Sequence, residues 1–98
     1  MLRHIDAGMI TNPRFQRFSL DTARKNGIPF QEAVRTSSYT NGAVIHTTHK
    51  AVPTIVIGVP VRYIHTHYGI ASFADYENSV KLACEVIRGL DEKVIAGF

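Results

Sequence analysis

Apolar and polar residues change their rhythm several times along the chain, and each change predicts an element. Leu2 to Asp6 predicts a short strand, with Leu2, His4 and Asp6 on one side and Arg3 and Ile5 on the other. Gly8 follows as a turn residue. Asn12 then offers a side-chain oxygen as a helix cap, and Pro13 suits the first helical position because its missing N–H had no partner there. Phe15 and Phe18 lie one turn apart, and Thr22 and Ala23 continue that face. Gly27 supplies a left-handed residue and Ile28-Pro29 blocks continuation, so a helix is predicted over about residues 13–26.

Gln31 to Arg35 reads as a second strand, and Thr40 as the cap of a short helix running through Val44, Ile45 and Thr48. Thr54-Ile55-Val56-Ile57-Gly58-Val59 is β-branched without alternation. That pattern predicts a strand covered on both faces, as in a parallel sheet beneath helices, and Pro60 ends it. A loop from Val61 to Ser72 leads to a last helix over about residues 75–90. There Tyr76, Val80, Ala83, Ile87 and Leu90 form an apolar stripe, and Glu77 and Lys81 form an i,i+4 pair. The order β-α-β-α-β-α predicts an α/β layered fold. Three strands cannot give such a sheet both a centre and protected edges, so the chain reads as the last third of a larger domain.

Composition narrows the class. The chain has 98 residues, 45% hydrophobic and 19% charged, which excludes intrinsic disorder and leaves room for one domain at most. No apolar run is long enough for a membrane span, and the single cysteine, Cys84, excludes an internal disulfide framework. A cytoplasmic location without membrane attachment is the resulting expectation. The net charge of +3 is mild. Its one local cluster, Arg14, Arg17, Arg24 and Lys25, lacks interleaved aromatics, so it reads as a solvated helix face and no nucleic-acid partner is expected.

Candidate chemistry concentrates after the apolar strand, in Arg62-Tyr63-Ile64-His65-Thr66-His67-Tyr68. Ligands of open α/β sheets bind beyond the carboxyl ends of the strands, and imidazole is the commonest metal ligand. One packed and one exposed histidine would account for the pair equally well. His46 and His49 are spaced i,i+3 but lack the intervening glutamate of a zincin, which favours a structural or surface role. Asp75 and Glu77 sit where the helix dipole already favours acids, and Cys84 reads as packed or inert. No serine has a nucleophile-elbow context and no phosphate-binding glycine loop is present. The chain offers one plausible site and too few groups to run it.

Val52 through Thr66, with P-x-R-Y-x-H at its most specific part, closely resembles the C-terminal signature of the dinuclear metallo-aminopeptidases that assemble as tetrahedral particles. That family includes glutamyl and deblocking aminopeptidases, some of which carry an old endoglucanase label. Asp75-Tyr76-Glu77-Asn78, Val80-Lys81-Leu82, His4 to Ile10 and Gly27 to Gln31 match further family segments in the same order, so the likeness covers essentially the whole chain. The resemblance implies the C-terminal part of a three-layer α/β/α metallopeptidase domain. It implies His65 as a ligand to one of two divalent metal ions, zinc or cobalt. Arg62 and Tyr63 fall in the same active-site loop, and Asn41 lies where many members have Asp; Ser38-Tyr39 replaces a usual glycine pair.

Members are several-fold longer. Their remaining ligands, their general-base glutamate and a small β-barrel domain that helps build the homo-oligomer have no counterpart in these residues. The expected activity is therefore release of N-terminal residues from peptides by the complete enzyme, with the isolated chain inactive and no catalytic base identifiable in it. A non-enzymatic remnant that self-associates through exposed sheet edges is the alternative.

Overall fold

The computed structural model describes residues 1–98 and confirms the α/β class. In chain order it contains β1 (Leu2–Ile5), α1 (Pro13–Lys25), β2 (Glu32–Val34), α2 (Gly42–Ile45), β3 (Val56–Ile57), α3 (Phe73–Gly89) and α4 (Glu92–Ala96). The last helix occupies the tail and opens on Asp91, whose carboxylate accepts the Val94 N–H at 2.8 Å.

Helix α1 starts and stops as its sequence dictates. Asn12 Oδ1 accepts the N–H groups of Arg14 and Phe15, each at 3.0 Å. At the other end Gly27 adopts φ +63°, and the Gly27 and Ile28 N–H groups close back on the Arg24 and Ala23 carbonyls. Its buried face is Gln16, Ser19, Leu20 and Ala23. Phe15 and Phe18 instead receive the ring of Phe98, stacked at 4.6 Å on the first and tilted at 5.8 Å from the second. Asn12 Nδ2 and Arg14 Nη1 donate to the Phe98 and Gly97 carbonyls at 3.1 and 3.0 Å, which ties α4 to the start of α1.

The sheet has the order β2-β1-β3. β1 and β2 are parallel, with a register shift between Arg3 and Ile5, as a crossover through α1 requires. β3 departs from the expected parallel, doubly covered strand: it runs antiparallel to β1, pairs only Val56 and Ile57, and lies at an edge, half-buried. The connection explains this. α2 is a single turn, too short to carry the chain back along the sheet, so β3 enters from the end where β2 leaves.

Leu2, Leu20, Ala23, Ile28, Leu82 and Val86 form the core, with Phe30, Ile55, Ile57 and Leu90 packed around it. The face that α3 commits to the core is thus Leu82 and Val86. The expected stripe of Tyr76, Val80 and Ile87 is exposed, because α1 and β1 meet the helix on its other apolar side. Cys84 is also exposed rather than packed, and the charged pair on this helix is Arg88–Glu85 at 2.6 Å, not Glu77–Lys81. The molecule measures 42 × 30 × 16 Å, and its thinnest dimension accommodates one sheet and one helical layer. No helix is long and apolar enough to cross a membrane.

Candidate functional site

Beyond β3 and Pro60 the backbones of Arg62 and Ile70 exchange both hydrogen bonds, at 2.8 and 3.1 Å, and close a loop between them. Gly69 permits the closure: a Cβ there would lie 3.0 Å from Val61 Cγ1. Inside the loop Tyr63 and His65 adopt φ +59° and +63°, the left-handed region that costs a residue with a Cβ about 1–2 kcal/mol. Such conformations persist where surroundings over-determine them and cluster at functional sites. The Thr66 hydroxyl supports this turn by donating to the Tyr63 carbonyl, with a longer contact to the Tyr68 carbonyl at 3.3 Å. Arg62, Tyr63, His65 and His67 are all exposed, and the His65 imidazole makes no hydrogen bond that would commit either nitrogen. Arg62 lines a groove of about 410 Å³ together with Asp75 and Ser72, whereas Tyr63 and His65 lie outside it.

Asn41 belongs to a different segment, and no hydrogen bond joins it to the loop. It occupies the N-cap position of α2 in helical conformation, and its side chain makes no capping bond. Thr40, the expected cap, instead donates its hydroxyl to Asp6 Oδ2 at 2.9 Å. Asp6 is the residue whose importance the sequence reading missed. Buried at the end of β1, its Oδ1 accepts the Gly8 and Met9 N–H groups at 2.8 and 3.0 Å, and Arg3 approaches Oδ2 at 3.6 Å. Burial alone would raise the carboxyl's pKa. The Gly8, Thr40 and Met9 hydrogen bonds and the Arg3 charge outweigh it and hold the group below the usual carboxylate range. The Asp-x-Gly spacing of an Asx turn was the available signal.

Two glycines let this knot close. A Cβ on Gly42 would collide with Met9 Sδ, and one on Gly8 would lie 2.6 Å from both Ala43 Cβ and Tyr39 Cδ1. Asn41 is therefore held by a packed, hydrogen-bonded anchor, and His65 by a strained loop. His46 has the structural role expected of it: its Nδ1 lies 2.7 Å from the Gly42 carbonyl, so the imidazole is bonded to its own helix, and His49 is exposed.

No three side chains among His, Cys, Asp and Glu converge to hold a metal ion. His65 fits as one donor, open and solvent-facing, but these 98 residues do not by themselves assemble a metal centre.

Residues 1–82, which include Asn41, Arg62, Tyr63 and His65, match the profile of the M42 glutamyl aminopeptidase family. The lysyl aminopeptidase of Pyrococcus furiosus is 31% identical over 87 residues, which are 88% of this chain and 25% of that protein. The glutamyl aminopeptidase of Lactococcus lactis is 32% identical over 95 residues, 97% of this chain and 26% of its own length. The crystal structure of a TET aminopeptidase from a marine sediment Thaumarchaeota archaeon matches 98% of the chain at TM-score 0.96 and 33% identity, through 27% of its own length. The chain thus spans about a quarter of the relatives it matches. With its whole fold superposing on a TET aminopeptidase and its loop and Asp6 anchor inside the matched residues, the chain belongs to the M42 glutamyl aminopeptidase family.

Proposed function

We propose that this chain works as the C-terminal part of a metal-dependent aminopeptidase that removes N-terminal residues from peptides. The Arg62–Ile70 loop carries the reading: an otherwise unfavourable backbone conformation presents His65 with both ring nitrogens uncommitted. His65 is one ligand to a pair of divalent ions, zinc or cobalt, whose Lewis acidity supplies the hydrolytic chemistry when they are bound. Arg62 and Tyr63 shape the loop on the substrate side, and Asn41 contributes to the same site from its Asp6-anchored segment. The remaining ligands and the general base come from other residues of the complete enzyme, which works as a homo-oligomer. The isolated chain turns over no substrate.

The test is a chimera in which these 98 residues replace the matched quarter of the Pyrococcus furiosus enzyme. The chimera hydrolyses lysyl anilides when supplied with zinc or cobalt, and His65→Ala removes both turnover and one equivalent of bound metal. Retention of metal and activity by His65→Ala would refute the ligand role. Metal-dependent turnover by the free chain would refute its dependence on other residues.

A further inference from the structure

Between the paired backbones of Arg62 and Ile70 lie residues 63–69, all exposed, and none of their backbone groups hydrogen-bonds to another backbone group. The hydrogen bonds inside this loop come from one side chain. The Thr66 hydroxyl donates to the Tyr63 carbonyl and lies 3.3 Å from the Tyr68 carbonyl. The first contact closes a ring through Tyr63, Ile64, His65 and Thr66. Both left-handed residues of the loop, Tyr63 at φ +59° and His65 at φ +63°, belong to that ring. The second contact leans the same hydroxyl toward the returning half of the loop. A threonine side chain is short enough to reach back three residues to a carbonyl in this way.

A residue with a Cβ left to itself returns to negative φ. For His65 that return, from +63° to about −60°, rotates Cβ about the N–Cα bond by roughly 120° and carries the imidazole to another side of the chain. Side-chain burial does not prevent it, since every residue from 63 to 69 is exposed. The Arg62–Ile70 pairing and the close approach of Gly69 to Val61 fix the base of the loop and leave the turn above it free. The Thr66 hydroxyl is what remains. A metal ligand must be held within about 0.5 Å and 10–20° of its working geometry, so the group that fixes the His65 backbone also fixes what the ring can reach. We propose that Thr66 is a positioning residue: its hydroxyl, bonded to the Tyr63 carbonyl, keeps His65 left-handed and thereby aims the imidazole at the metal pair. The inference rests on the reading of His65 as a ligand and adds to it the group that sets the ligand's direction.

Thr66→Val removes the hydroxyl and keeps the branched shape, whereas Thr66→Ser keeps the hydroxyl. In the 98-residue chain, nuclear magnetic resonance reads φ at Tyr63 and His65 from the intraresidue HN–Hα cross-relaxation, which is strong only at positive φ. Positive φ is expected at both residues in the unsubstituted chain and in Thr66→Ser, and its loss in Thr66→Val, with the resonances of α1 unmoved to show that the chain still folds. In the Pyrococcus furiosus chimera, Thr66→Val weakens binding of one of the two ions by about tenfold, the low end of what loss of a ligand-orienting group costs, and saturating metal restores turnover. Thr66→Ser binds both ions as the unsubstituted chimera does. A merely structural role would lower the yield of folded enzyme and leave metal affinity untouched. Negative φ at His65 in the unsubstituted chain, or positive φ persisting in Thr66→Val, would overturn the inference. So would undiminished metal affinity in Thr66→Val where His65→Ala loses an ion, an outcome that leaves the ligand reading standing. Both ions retained by His65→Ala would remove that reading, and the inference with it.

Discussion

Gly27 and His65 have the same φ, +63°, for opposite reasons. At Gly27 the helix must end, the residue without a Cβ does it at least cost, and no atom lies within 4 Å of where a Cβ would be. At His65 the backbone takes that conformation with a large ring attached, next to Tyr63 in the same region, on a loop with no buried side chain. Helix α1 matches its residues to its geometry at both ends, although Gln16 on its buried face has no hydrogen-bond partner for its amide. The loop does not, and such conformations persist only where the surroundings over-determine them. The Asp6 knot stands between them: both carboxylate oxygens have partners, while the Nε of the neighbouring Arg3 is buried without one.

The strongest way to break this contrast is to remove the anchor. Asp6→Ala leaves the Gly8 and Met9 N–H groups and the Thr40 hydroxyl without their acceptor, and should cost about 3 kcal/mol in urea denaturation. A loss well under 1 kcal/mol would mean that water replaces the carboxylate and the knot is not an anchor. Gly42→Ala should cost about 1–3 kcal/mol, because Met9 must give way. Two of the left-handed residues, Gly27 and His65, sharpen the comparison directly. Gly27→Ala should lower stability by about 1 kcal/mol through the backbone alone, whereas His65→Gly should leave it unchanged or raise it by up to about 1 kcal/mol. Equal losses at both positions would show that the loop is held by side-chain packing after all.

The smallest effect is in pH. The Asp6 carboxyl has its pKa lowered from 3.8 in the folded chain, so the unfolded chain binds its proton first as pH falls. Its contribution is therefore fully present well above pH 3.8 and declines as pH falls below that value toward the folded pKa. Asp6→Asn should flatten that part of the acid-denaturation profile; an unchanged profile would assign the slope to other carboxylates.

Local chemistry made much of this legible without a structure. Asn12, Pro13 and Gly27 set both ends of α1, because caps and left-handed residues act through neighbours a few positions away. The continuous run at residues 54–59 announced a strand, and the segment after it carried the candidate site. What could not be read were choices between equivalent local options. α3 has two apolar stripes of similar quality, and only the position of α1 and β1 selects Leu82 and Val86 over Tyr76 and Ile87 for the core. The direction of β3 depended on how far α2 could carry the chain. Thr40 had two uses, as a cap or as a donor, and Asp6, distant in sequence, decided between them.

The sequence by itself thus determined the family, the order of elements through α3, the termini of α1 and the loop that holds His65, since each is written in contiguous residues. The tertiary structure alone decided which face of α3 is buried, that β3 is an antiparallel edge, and that Asp6 holds the Asn41 segment. Those outcomes are settled by contacts between residues far apart in the chain, where several local arrangements are equally good and the one that closes the core prevails.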